Sequence, residues 1–117
     1  MKIHLLAVGD RMPEWVETGY AEYAKRLPRE CQLVLHEIPA GKRGKNADLV
    51  RLTMDEGKRL LAAVPKGARV VALDRSGREH DTVQLAEKLR AQLGRGSDLA
   101  LLIGGPEGLS DECLAAA

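Results

Sequence analysis

The sequence predicts an α/β protein, an open parallel sheet flanked by helices, formed as a single domain over residues 1–117. Three observations carry that expectation. Short apolar runs alternate with longer amphipathic ones, the apolar runs are almost uninterrupted, and Gly or Pro stands at most junctions. Strands buried on both faces read as continuous hydrophobic stretches, and parallel strands need helical crossovers between them. At 117 residues the chain can enclose one core and not two.

The first strand is Ile3-His4-Leu5-Leu6-Ala7-Val8, stopped by Gly9. Pro13 suits the first turn of a helix, where its missing N–H costs nothing. Val16, Tyr20, Tyr23 and Leu27 then mark one helical face until Pro28. Leu33–Ile38 is a second strand, polar enough to lie near an edge, and Leu49, Leu52, Leu60 and Leu61 mark a second helix weakened at Gly57. Arg69–Leu73 is the third strand. Asp81 followed by Gln84 forms a capping box for a third helix with the stripe Leu85, Leu89, Leu93, ended by Gly94 or Gly96. Leu99–Ile103 is the fourth strand, needing a neighbour on each side, and Ser110 is the N-cap of a last helix.

Composition excludes more than it selects. With 44% hydrophobic and 30% charged residues the chain has the make-up of a soluble globular protein, and a net charge of +1 points to no partner. Trp15, Tyr20 and Tyr23 are the only aromatic residues among Phe, Tyr and Trp, too few for a base-stacking platform, and Trp15 is expected to pack. Cys31 and Cys113 have neither Cys-x-x-Cys spacing nor a matching His pattern, so reduced buried thiols are expected, with no metal. The N-terminal apolar run is too short for a secretory signal or a membrane span, which makes a cytoplasmic protein with no membrane partner the expectation.

Ligands of open parallel sheets collect outside the carboxyl ends of the strands. Two loops fall there, Leu73-Asp74-Arg75-Ser76-Gly77 and Ile103-Gly104-Gly105-Pro106-Glu107-Gly108. Glycines allow a ligand close to the backbone, but the same Gly-Gly-Pro-x-Gly run reads equally well as a tight strand-to-helix turn. Neither the phosphate-loop nor the dinucleotide pattern is present, which disfavours a phosphate ligand. Asp74 could meet a ribose hydroxyl or simply form a turn. Lys42, Arg43 and Lys45 in Gly41-Lys42-Arg43-Gly44-Lys45 could neutralise RNA phosphates, although the residues by themselves favour a solvated basic turn. His4 and His36 lie in strands and read as structural, and His80 as exposed.

Several segments nevertheless resemble one family. Met12-Pro13-Glu14-Trp15-Val16, Ile38-Pro39-Ala40-Gly41-Lys42-Arg43-Gly44-Lys45-Asn46-Ala47-Asp48 and Leu102-Ile103-Gly104-Gly105-Pro106-Glu107-Gly108-Leu109 are similar, in register, to the ribosomal RNA large-subunit methyltransferase H family of SPOUT methyltransferases. The resemblance implies a homodimeric enzyme that moves a methyl group from S-adenosylmethionine to N3 of a pseudouridine in 23S rRNA of the assembled ribosome. It implies cofactor contacts at Leu73 and Gly104, with Gly105, Glu107 and Gly108 as loop neighbours, and RNA contacts at Lys42, Arg43 and Lys45.

The resemblance also implies a deep C-terminal knot. Family members run on past the position of Ala117, with a further strand, a third cofactor loop, a knot helix and a His/Tyr/Arg-rich tail. The expectation is therefore a SPOUT-type sheet without its knot-forming part, and catalytic residues that lie in that segment and cannot be assigned here. Leu99–Ile103 is expected to lose a packing neighbour, dimerisation is in doubt, and a chain of only these residues is expected to bind the cofactor weakly and transfer no methyl. Two other readings stand beside this one: a non-catalytic RNA- or ribosome-binding module, and a fragment without function of its own.

Overall fold

The N-terminal apolar run forms the first strand, β1 (Lys2–Val8), and the remaining elements follow in the predicted alternation: α1 (Glu14–Ala24), β2 (Gln32–Ile38), α2 (Leu49–Ala63), β3 (Arg69–Leu73), α3 (Thr82–Arg95), β4 (Leu99–Ile103) and α4 (Asp111–Ala116). The structure, a computed structural model, describes residues 1–9 and 12–117; Asp10 and Arg11 lie outside the described residues. All pairings are parallel, in the order β2-β1-β4-β3. The polar second strand is at an edge, as its composition suggested; β3, apolar in all but Arg69, takes the other edge, and β1 and β4 are central.

The expectation that β4 lacks a packing neighbour is corrected. Leu99–Leu102 pairs with Ile3–Leu6 on one side and with Arg69–Ala72 on the other, and Leu99, Ala100 and Leu102 are buried. Both hydrogen-bonding edges of the strand are satisfied within these residues.

The two faces of the sheet differ. The crossover between β2 and β3 runs opposite to the other two, so right-handed connections set α2 on one face and α1 and α3 on the other. Leu6, Val8, Ala100 and Leu102 meet Leu60 of α2 and Cys113 of α4, and these form the core. On the opposite face Leu5, Ala7, Leu101 and Ile103 are half-buried, while Leu35 and Leu73 are exposed.

Caps fall where the residues predict. Asp81 accepts from the Gln84 N–H at 2.8 Å, the Gln84 side chain accepts from the Asp81 N–H at 2.9 Å, and Gly96 closes α3 at φ +75°. Ser110 Oγ accepts from the Cys113 N–H at 3.3 Å. Gly57, read from sequence as a weak point, has a packing reason. A Cβ there would overlap the Ser110 side chain, and the Cys113 thiol reaches the Gly57 carbonyl at 3.5 Å, so α4 seats on α2 at this residue.

Three expectations of packing fail. Trp15 is 77% exposed, α1 stops at Ala24 and tightens through Arg26-to-Tyr23 and Leu27-to-Ala24 turns, and Tyr23 faces outward under the Arg26 guanidinium. Of the α3 stripe only Leu89 is half-buried, with Leu85 and Leu93 exposed. In each case the face is amphipathic but little of the described chain lies against it. Cys31 and Cys113 are free thiols, the first half-buried and the second buried.

Candidate functional site

The carboxyl ends of the strands place Leu73 beside Ile103, and Ile103 beside Ala7, so both predicted loops leave the sheet on one rim. Leu73 is 50% exposed there. Beyond it the Ser76 N–H and hydroxyl both donate to the Asp74 carboxylate, and the Gly77 N–H donates to the Asp74 carbonyl at 2.9 Å. The Ser76 hydroxyl and N–H hold the Asp74 carboxyl below the usual carboxylate range. Of the two roles open to it, Asp74 takes the turn-forming one.

The Gly104–Gly108 run closes on itself. The Gly108 N–H donates to the Gly105 carbonyl at 2.9 Å and Gly108 stands at φ +81°, a region that favours glycine. A Cβ at Gly104 would fall on the Gly108 carbonyl and the Leu109 nitrogen. The turn by itself accounts for these two glycines, and it follows Ile103, the strand partner of the exposed Leu73.

Beneath this rim lies a charge cluster. Glu56, on α2 and only 2% exposed, accepts from Arg43 Nη1 at 2.8 Å, from Arg43 Nη2 at 3.0 Å and from the Gly41 N–H at 3.0 Å. Arg43 also donates from Nε at 2.8 Å and Nη2 at 2.6 Å to Glu107, and from Nη1 at 2.9 Å to the Gly41 carbonyl. Burial pushes the Glu56 carboxyl up, and the Arg43 guanidinium and Gly41 N–H outweigh it, so the net displacement is downward. The same carboxylates hold the Arg43 guanidinium above its ordinary value, first Glu56 and then Glu107. A buried carboxylate is tolerated because it is paired and its lone pairs are filled.

The predicted basic loop therefore divides. Lys42 and Lys45 are exposed, whereas the Arg43 side chain, 19% exposed, spends its donors within the chain. Glu107, foreseen as a cofactor-loop neighbour, is the outer arm of this clasp. Glu56 escaped the reading of the sequence, although a signal exists: Leu49, Leu52, Glu56 and Leu60 share one helical stripe, and a carboxylate in that row demands a buried partner.

A separate groove of about 340 Å³ lies between α2 and α4, lined by Leu49, Val50, Met54, Glu107, Ser110 and Asp111 among others. It shares Glu107 with the rim but reaches neither Leu73 nor Gly104. At the amino ends of the strands His4 is buried between His36 and Asp98. His4 Nε2 lies 3.4 Å from the Asp98 carboxylate, and His4 Nδ1 and His36 Nε2 share a hydrogen bond at 3.1 Å. Among the described residues no group of three or more His, Cys, Asp or Glu side chains is placed to hold a metal ion, and no helix is long and apolar enough to cross a membrane.

A parallel α/β sheet with a Gly-lined loop after its central strand is shared by many proteins, and comparison narrows the class. The family described as "Predicted SPOUT methyltransferase" matches residues 1–117, and the chain belongs to it. Within it, the chain is 60% identical over 117 residues to the ribosomal RNA large subunit methyltransferase H of Thioalkalivibrio sulfidiphilus (strain HL-EbGR7), spanning 100% of this chain and 75% of that protein. It is 55% identical over 113 residues to the protein of the same name from Methylococcus capsulatus (strain ATCC 33009 / NCIMB 11132 / Bath), spanning 97% of this chain and 73% of that relative.

Proposed function

We propose that the protein takes part in methylation of large-subunit ribosomal RNA, with S-adenosylmethionine as donor and N3 of a pseudouridine in 23S rRNA as acceptor. The observation that carries this reading is the juxtaposition of Leu73 and Gly104 on one rim at the carboxyl ends of neighbouring strands in a chain of the methyltransferase family. When bound, the donor supplies a methyl group activated on a sulfonium sulfur.

The chain's own residues supply binding and orientation. Leu73 offers apolar cover to one face of an adenine, and the glycine edge at Gly104 and Gly105 leaves backbone groups within reach of its polar rim. Lys42 and Lys45 stand free to meet backbone phosphates, which position an RNA without reading its sequence. Holding donor and acceptor in line converts an encounter of two molecules into a step within one complex. The N3 proton of the acceptor must leave before or during attack. We assign no residue of this chain to that proton.

Calorimetry with S-adenosylmethionine tests the donor site. Leu73→Glu is expected to weaken binding about tenfold or more, since an apolar contact of that size is worth roughly 1.5–3 kcal/mol. Unchanged affinity in Leu73→Glu sinks the assignment. Methyl incorporation into purified ribosomes, measured with labelled donor, tests the reaction, and comparison with the full-length relative from Thioalkalivibrio sulfidiphilus, about a quarter of which this chain does not span, measures what that part adds.

A further inference from the structure

The Arg43 clasp ties together two loops that the proposed function gives to different ligands. Arg43 lies between the exposed Lys42 and Lys45, on the loop proposed to meet RNA. Its guanidinium ends on Glu107, inside the Gly104–Gly108 loop proposed to line the donor site. Its other side is fastened to buried Glu56 and to the Gly41 carbonyl, and Glu56 in turn holds the Gly41 N–H. A Cβ at Gly105 would stand 3.3 Å from Glu56 and 3.5 Å from Arg43, so the glycine loop rests directly on the clasp.

We propose that Arg43, acting through Glu107, is a positioning residue that couples the basic loop to the glycine loop, so that methyl donor and RNA raise each other's affinity. This rests on the donor and RNA assignments proposed above. The physical basis is shared ordering. Each loop is short and surface-placed, and fixing either one lowers the entropy that remains to be lost in the other. The link is stiff because a guanidinium fork on two carboxylates fixes direction as well as distance. It stays closed because buried Glu56 would be left without its charge partner if Arg43 swung out to a phosphate. The sign of the coupling is therefore positive, and by linkage it is the same whichever ligand binds first.

Glu107→Ala is the discriminating variant, because it removes the outer arm and leaves the Arg43–Glu56 pair in place. S-adenosylhomocysteine affinity is measured by equilibrium binding of labelled ligand with and without saturating purified ribosomes. In the unaltered chain the ribosomes are expected to tighten binding about three- to tenfold. In Glu107→Ala the ratio falls to about one with the melting temperature nearly unchanged, and Glu107→Gln keeps part of it, since the amide oxygen still accepts from Nε. A ratio in Glu107→Ala equal to that of the unaltered chain overturns the proposal. If the unaltered chain binds no S-adenosylhomocysteine, the donor assignment fails and the clasp is decided without ligand. Amide exchange at Gly105 and Gly108 is then expected to quicken at least about threefold in Glu107→Ala, and also across Lys42–Lys45. Equal exchange rates overturn the clasp.

Discussion

The two ends of the sheet carry polar clusters of similar size and different reach. At the amino end, His4, His36 and Asp98 join β1, β2 and the start of β4, with the Lys2 N–H donating to Asp98 at 2.9 Å. These are residues the strand pairing already brings together. At the carboxyl end, Arg43, Glu56 and Glu107 join a helix to two loops that the sheet does not pair. The first cluster fills polar groups that the sheet happens to bury. The second ties together segments that the sheet itself does not pair, and it does so at the rim where the strand ends converge.

That difference makes Glu56 the most sensitive polar residue. Glu56→Ala removes the buried half of the pair, leaves the Gly41 N–H without its acceptor and Arg43 held by Glu107 alone among its carboxylates, and is expected to lower the unfolding free energy by about 3 kcal/mol in urea titration. A loss under 1 kcal/mol would place the clasp on a par with the histidine cluster. Acid reaches the same pair gradually. The Glu56 carboxyl is lowered from 4.5, so its contribution is complete above that value and is lost as pH falls through the lower folded value. Urea midpoints measured from pH 7 downward should therefore drop below about pH 4.5, and the drop should shrink in Glu56→Gln.

Glycines sharpen the contrast between the rim and the outer helices. Gly104→Ala forces a methyl group onto the Gly108 backbone and is expected to cost about 2 kcal/mol. Gly94→Ala, in α3 with nothing within 4 Å of the new Cβ, is expected to stabilise by about 0.5–1 kcal/mol. Equal effects would mean that the rim is no tighter than the exposed helix. At the amino end, His36→Leu leaves His4 Nδ1 without its hydrogen-bond partner and should cost about 1 kcal/mol, with no change in methyl-donor affinity. The smallest effects belong to Lys42→Ala and Lys45→Ala. Stability should hold within about 0.5 kcal/mol, while each lowers the salt slope of RNA binding by about 1.

The strand cores, the caps at Asp81 and Ser110, and the polar make-up that sends β2 to an edge follow from local chemistry, because each depends on residues within a few positions of one another. The rim could be anticipated too, since strand-end loops of parallel sheets share one side. What sequence reading missed was relational. Arg43 looked like a third free cation beside Lys42 and Lys45 until Glu56 and Glu107 came within 3 Å of it across 13 and 64 residues of chain. Tyr23, Leu27 and the α3 stripe had the periodicity of core residues, yet periodicity says which face is apolar and not whether anything covers it.

The sequence by itself determined the alternating architecture and the turn chemistry of the glycine loop, because these rest on patterns of period two and 3.6 and on backbone freedom at single residues. Only the tertiary structure decided that Gly57 is a seat for α4, that one face of the sheet is packed and the other half-open, and that Arg43 is a clasp. Those outcomes depend on distances between segments far apart in the chain, which no local pattern encodes.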